Sequence, residues 1–367
     1  MSQERIYWLA WSQIPGINSN VLEKFLEYYG TLQEAWLADV AELKAIAPLR
    51  SNVVEAIAGT RSQLNPEKFL QEHLRQNPHF WTPADPDYPR LLLETPGIPP
   101  VIYYRGEVNP EENQGIVPVM AIVGTRKATE HGCRWARQLS SYLAQYGFTI
   151  VGGMAKGIET LAHEACLAVK GRTIAVLATG VDVIYPQQQQ LIYQQILSHG
   201  GLILSEYPAG SNPDSNRFRA RNRLIAALSR GVLVIEAPEQ SGCLITARHA
   251  NEFGRDVYVL PNSPEVPQAR GCLRLLNQGA NLILSAEELL LQLGSVPQVD
   301  PLPQSRPDLT PDLAQVFQVV QTEPTSFEAI VTGSNLPSGL VAGALLELEL
   351  LGLVSQLPGM MYKKSAT

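Results

Sequence analysis

Between residues 116 and 293 the chain repeats one pattern, a short run that is apolar throughout followed by a segment with helical spacing. The runs fall at 119–123, 148–151, 173–178, 202–204, 232–235, 257–260 and 282–284. A strand with one wet face alternates apolar and polar residues, whereas a strand covered on both faces has no polar positions to spare. The uniform runs therefore predict parallel strands. The intervening segments at 135–146, 161–169, 191–197, 224–228 and 245–253 predict the helices that cover them. This alternation specifies an α/β domain over 116–293 with a doubly wound, Rossmann-like sheet.

The flanks differ in character. Residues 1–75 read as a helical domain, with apolar residues at helical spacing in Val21, Leu22, Phe25 and Leu26 and again in Leu43 and Ile46. Ile14-Pro15-Gly16-Ile17-Asn18 reads as a tight turn before a helix capped by Asn18 or Ser19. The outline is that of a helix-hairpin-helix or SAM-like module, whose turn amides can hold a phosphate, although its simpler role is packing. Residues 76–115 carry Pro83, Pro86, Pro89, Pro96, Pro99 and Pro100 around one strand at 101–104, and read as a connector that packs on the core. Residues 294–312 form a proline-rich linker. Residues 313–367 return to helical spacing and end in a small hairpin, a winged-helix-like outline. No Lys or Arg lies between Arg306 and Lys363, while Glu323, Glu328, Glu347 and Glu349 are acidic. A helix that reads DNA needs cations for the phosphates. This last domain is expected to be structural or protein-binding.

A net charge of −7 excludes a chain that coats nucleic acid with its whole surface. Any phosphate site must be a local gathering of cations and backbone N–H groups. Cys133, Cys166, Cys243 and Cys272 stand far apart with no C-x-x-C pair, which argues against a zinc site and a disulfide framework and fits a reducing compartment. No apolar run reaches the roughly 20 residues that span a bilayer. The opening MSQERIYWLAWSQ does not read as a signal peptide. A cytoplasmic location without membrane attachment is expected.

In a doubly wound sheet the loops at the C-terminal strand ends converge on one edge, where ligands bind. After the first run comes Gly124-Thr125-Arg126-Lys127, ahead of a helix. No G-x-G-x-x-G is present, so the dinucleotide fingerprint is missing. A glycine, a hydroxyl and cations at a helix start still suit an anion. The second run leads into Gly152-Gly153-Met154-Ala155-Lys156-Gly157, where glycine permits close backbone approach and Lys156 adds charge. The stretch after 204 is the longest loop and ends in Arg217-Phe218-Arg219-Ala220-Arg221-Asn222-Arg223. Four arginines at alternate positions cannot all face one way on a helix, so some must turn inward. Phe218 among them offers a surface for base stacking or an anchor for the loop. Ser241-Gly242 again opens a helix, and Cys243 reads as a core-facing residue. His163 and Glu164 read as packing and surface residues, since no third partner is apparent. The inventory holds several anion sites and an aromatic ring, but no nucleophile–base pair and no metal cluster. No catalytic residue, cofactor or metal is expected, and a row of phosphate sites suits a polymer of phosphates.

The chain resembles the DNA-processing protein A family (DprA/Smf). The matching stretches are AIVGTRKATEHG, IVGGMAKGIETLAH, TIAVLATGVDVIYP, LILSEYPAGS, FRARNRLIAALSRGVLVIEA, SGCLITARHANEFGRDVYVLP and RGCLRLLNQGANLI, in order through residues 121–284. The resemblance implies an extended Rossmann fold that binds single-stranded DNA and forms a homodimer. It further implies help in loading a RecA-type recombinase during natural transformation, with no enzymatic activity. Carried over by motif, Arg126 would contact a phosphate, Gly153 and Lys156 would line the same pocket, Arg221, Asn222 and Arg223 would support it, and Phe218 would stack. The chain departs from the family pattern at Glu159 (usually Asp), Arg219 (usually Pro) and Leu273 (commonly Asn). It also has Gln187, Gln188, Gln189 and Gln190 where an acidic residue, an asparagine and a cation are common. Two rival readings are an enzyme acting on nucleoside monophosphates, whose P-G-G-x-G-T signature is not found, and an oligomerisation scaffold that does not bind DNA.

Overall fold

A run of Val, Ile, Leu and Ala can sit in a sheet only if both faces are dry, and the computed structural model supplies two apolar layers to dry them. It describes residues 3–294, 310–321, 323–350, 353–357 and 359–364. Nine strands form the main sheet: β1 (Phe80–Trp81), β2 (Ile102–Gly106), β3 (Val119–Val123), β4 (Thr149–Gly152), β5 (Thr173–Leu177), β6 (Leu202–Ser205), β7 (Gly231–Val234), β8 (Asp256–Val259) and β9 (Asn281–Leu282). Every residue of β3 to β7 is buried. Along β3 the side chains divide by turns. Val119, Ala121 and Val123 enter one core with Leu224, Ala247 and Ala250, while Met120 and Ile122 enter the other with Leu139, Leu143 and Ile158. The period of two is thus present, but both phases are apolar, which is why the sequence showed no alternation.

The strand order is β1-β2-β6-β5-β4-β3-β7-β8-β9, and β3 to β9 pair in parallel. From β3 the chain winds outward through β4 and β5 to β6, then returns past β3 to start β7 on its other side. The order reverses between β3 and β7, which opens a crevice at their C-terminal ends. The doubly wound expectation is met.

The segment 76–115 was expected to contribute one strand and pack on the core. It supplies that strand as β2 and a further one, β1; the two pair antiparallel with each other, and β2 pairs antiparallel with β6. They extend the sheet at the edge that β6 would otherwise leave open. The N-terminal helices Gln3–Trp11, Ser19–Tyr29, Leu32–Leu37, Val40–Ile46, Ser51–Gln63 and Pro66–Gln76 enclose a core of their own. At its centre the Trp11 ring lies 5.2 Å from Phe25 and 5.1 Å from Trp36, centroid to centroid. Asn18 caps the second helix, its side chain accepting from the Val21 amide at 3.1 Å. Gly16 adopts φ of +88°, and a Cβ there would lie 2.6 Å from Val53 Cγ2, so the turn requires glycine. Leu9 packs with Phe80, Val101 and Tyr103, and Arg5 donates to the Phe80 carbonyl at 2.6 Å. These helices, the connector and the parallel strands form one compact unit.

A second unit holds the helices Pro311–Val319, Phe327–Ser334 and Ser338–Leu350 with the strands β10 (Thr325–Ser326), β11 (Val354–Leu357) and β12 (Met361–Lys364), in the order β10-β12-β11. Val316, Ile330, Val341, Leu345 and Tyr362 fill its core. This is a winged-helix arrangement. The expected linker at 294–312 lies largely outside the described residues. No single described helix is long and apolar enough to cross a membrane.

Candidate nucleic-acid interface

A buried acid fastens the loop that borders the crevice between β3 and β7. Glu236, at the end of β7, is 1% exposed. Its carboxylate accepts from the Thr129 amide at 2.9 Å and from the Thr129 hydroxyl, and its carbonyl accepts from the Thr125 amide at 2.7 Å. Thr129 in turn caps the helix Glu130–Gln145. The loop carrying Arg126 and Lys127 is therefore fastened at both ends, with both cations exposed. A second acid does the same for the neighbouring loop. Glu159 is buried and accepts from the Gly153 amide at 2.9 Å and the Ala155 amide at 3.1 Å, leaving Lys156 exposed at the tip.

The basic segment 217–223 was expected in a loop, with the next helix starting at 224. It lies instead within the helix Ser215–Ala227, capped by Asp214. Its first turns carry no apolar stripe, so the periodicity did not report them. The helix sorts the arginines by direction. Arg221 points under the sheet end and is 4% exposed, its guanidinium donating to the carbonyl of Gly153 at 2.8 Å and to that of Val176. Burial pushes the Arg221 pKa down from its ordinary value, and the nearby Glu159 carboxylate opposes the shift. Arg219 faces solvent. Two expected site residues turn elsewhere. Arg223 pairs with Glu206 and donates to the Gly97 carbonyl at 2.9 Å, because a helix displaces it from Arg221 by two positions and hence to another face. Arg217 donates to the Asn212 carbonyl at 3.1 Å, and its guanidinium lies 4.5 Å above the Tyr207 ring.

The other expected residues line two adjoining clefts. The first, of about 810 Å³, is bordered by Gly124, Thr125, Arg126, Lys127, Phe218, Arg219, Arg221, Asn222, Ser241 and Gly242. The second, of about 670 Å³, adds Gly153 and Lys156. The two share Arg126, Ala155, Tyr185, Phe218 and Arg221. Asn222 serves structure, donating to the Gly242 carbonyl at 3.2 Å and tying the helix Ser215–Ala227 to the start of the helix Cys243–Glu252. Among the described residues, the side chains of Arg126, Lys127, Lys156 and Arg219 make no hydrogen bond or ion pair with the protein. Such cations are free to meet an anion at no cost in broken contacts.

Tyr185 escaped the sequence reading. Its ring lies 5.6 Å from that of Phe218, tilted by 49°, at the junction of the clefts. A lone tyrosine in a neutral loop carries no signal until the fold brings it to a partner. Cys243 also borders the first cleft, but burial pushes its thiol up to about 12, so no thiolate forms near neutral pH. His163 is wholly buried and its Nδ1 lies 2.6 Å from the Thr173 hydroxyl. That hydroxyl donates its proton to the Ile150 carbonyl at 2.7 Å, so His163 must be the donor and carry its proton on Nδ1. Glu164 is exposed, so His163 and Glu164 divide between packing and surface as read.

Comparison with known proteins agrees with this architecture. Residues 79–294 match the family described as DNA recombination-mediator protein A, and residues 300–360 match the DprA winged helix domain. The chain is 47% identical to the protein Smf of Synechocystis sp., over 99% of each chain. A crystal structure of DNA processing protein A from Streptococcus pneumoniae superposes with a TM-score of 0.67 at 33% identity, covering 80% of this chain and 98% of that one. The Helicobacter pylori protein, described for its single-stranded DNA binding mode, gives a TM-score of 0.52 at 30% identity, covering 58% of this chain and 95% of that one. The chain belongs to the DNA recombination-mediator protein A family, the DprA/Smf proteins.

Proposed function

We propose that the paired clefts hold single-stranded DNA, and that the protein acts as a cytoplasmic homodimer that passes the strand to a RecA-type recombinase. The observation that carries this reading is the convergence of Arg126, Lys127, Lys156 and Arg219 around the Tyr185–Phe218 ring pair at the sheet's switch point. Cations without protein partners supply phosphate contacts, and the rings supply the stacking faces that unpaired bases seek. A duplex hides its bases, so an aromatic pair favours the single strand. The role is one of binding, with no reaction assigned. Membership of the recombination-mediator family and the likeness to a protein described for its single-stranded DNA binding support it.

The test is binding of single- and double-stranded oligonucleotides at several salt concentrations. Arg126→Ala is expected to weaken single-strand binding about tenfold at every sequence, the scale of one charge-assisted hydrogen bond. It should also lower the log–log salt slope by about 0.7, since one phosphate contact is lost. Unchanged affinity would remove Arg126 from the site. Phe218→Ala is expected to cost about 1–3 kcal/mol with the salt slope unaltered, because stacking releases no counterions. A changed slope would mean that Phe218 acts by positioning cations.

A further inference from the structure

The clefts hold a short stretch of strand, and a longer one must leave them across the rim. The exposed charges decide where. Toward the loops after β5 and β6 stand Asp182 and Asp214, and Arg217 there is committed to the Asn212 carbonyl and the Tyr207 ring. Toward the helix Ile158–Ala168 stands Glu164. Toward the loops after β7 and β8 stand Glu239 and Glu265, and Arg270 is held by the Pro264 carbonyl at 3.2 Å. Single cations, Arg248 and Arg274, lie farther along the helices Cys243–Glu252 and Arg270–Asn277. Carboxylates repel phosphates, so these exits are unfavourable. The helix Glu130–Gln145 differs. Its buried residues Gly132, Ala136, Leu139 and Leu143 face the core, which turns Arg134 and Arg137 outward, and both are exposed. Three residues apart, they are neighbours on the helix surface. Lys127, on the border of the first cleft, stands just ahead of the same helix. Among the described residues, none of these three side chains has a hydrogen-bond or ionic partner. Glu130 is the one acid of the helix, and its place in the first turn suits the helix dipole.

We propose that the outer face of the helix Glu130–Gln145 carries the sugar-phosphate backbone of the strand away from the first cleft, with Lys127, Arg134 and Arg137 as successive phosphate contacts. The inference rests on the single-strand reading above and extends it to a surface outside both clefts. From Glu130 to Arg137 the helix rises about 10 Å, so the path adds a few nucleotides to those the clefts hold. The helix is a firm support, because its inner face is packed into the core beneath the sheet. Contacts of this kind position a strand without reading it, so the path is indifferent to sequence. A stretch held by its phosphates alone also keeps its bases open for pairing.

Fluorescence anisotropy on the full chain tests this, with oligo(dT) of about 6 and about 20 nucleotides, lengths chosen to fill the clefts alone and to run past them. The double variant Arg134→Gln with Arg137→Gln keeps good helix formers at two exposed positions, so the fold is spared. It is expected to bind the long strand about tenfold more weakly at low salt, the scale of two exposed ionic contacts. The log–log salt slope for that strand should fall by about 1.4, since two phosphate contacts are lost. Affinity for the short strand should stay as it was. Arg134→Lys with Arg137→Lys should keep the slope, because charge is what the path requires. The inference is overturned by an unchanged slope for the long strand in the glutamine variant, by equal losses on both lengths, or by a lysine variant as weak as the glutamine one. Each of those results leaves the single-strand reading standing. Failure of the unaltered protein to bind either length overturns both.

Discussion

Gly153→Ala is expected to destabilise the main unit by about 3 kcal/mol, although it adds only a methyl group. The added Cβ would overlap the Arg221 guanidinium, which has nowhere to go. That group is enclosed, and it is bonded to the Gly153 and Val176 carbonyls. Either the β4 loop shifts off Glu159 or the arginine leaves its acceptors, and a buried cation without acceptors is costly. Because Arg221 also walls both clefts, single-strand affinity should fall in the same variant. Urea unfolding of Gly153→Ala, Arg221→Met and the double variant separates the cause. The double variant should lose clearly less than the sum of the two, since methionine leaves room for the methyl. Additive losses would mean that Gly153 and Arg221 matter for unrelated reasons.

The second large effect is a loss of stability in acid that traces to His163. Burial, with a smaller push from Arg221, holds its pKa at about 4 in the folded chain against 6.5 in the open. The unfolded chain therefore binds a proton that the folded chain refuses, and stability falls as pH drops through that interval. The contribution is fully present above pH 6.5 and decays toward pH 4, for a total of about 3 kcal/mol. The geometry supplies the reason. Nδ1 already donates to Thr173, and Nε2 has no partner among the described residues, so a second proton would enter a closed space beside a guanidinium. Urea unfolding at pH 7 and at pH 5 should show the loss in the unaltered protein and a flatter response in His163→Gln. Parallel responses would clear His163 of the effect.

Much of the architecture was legible because the physics acts locally. Strands buried on both faces are apolar at nearly every position, and β3 through β8 announced themselves that way. The loops at their ends showed their cations directly, and Arg126 and Lys156 do converge on adjoining clefts. What stayed hidden depended on contacts distant in sequence. The strand β1 escaped because Phe80–Trp81 is too short for any period and draws its pairing from Tyr103 and Ile102. The fate of Arg223 was set by Glu206 and Gly97, which only the fold brings near. Tyr185 needed Phe218 beside it to mean anything. The family resemblance gave Arg126 to the phosphate and Arg221, Asn222 and Arg223 to its support; the fold makes Arg221 a buried strut and sends Arg223 to Glu206.

The antiparallel pair at the margin of the sheet sets a lower limit on how far the chain can be trimmed. With β1 and β2 in place, the backbone groups of β6 are satisfied by Tyr103, Tyr104, Arg105 and Gly106. A fragment cut just ahead of β3 would expose a naked apolar ribbon, the kind of template along which identical molecules stack into insoluble ladders. The smallest well-behaved version of this protein must begin before Phe80, even though every residue lining the two clefts lies beyond Val123.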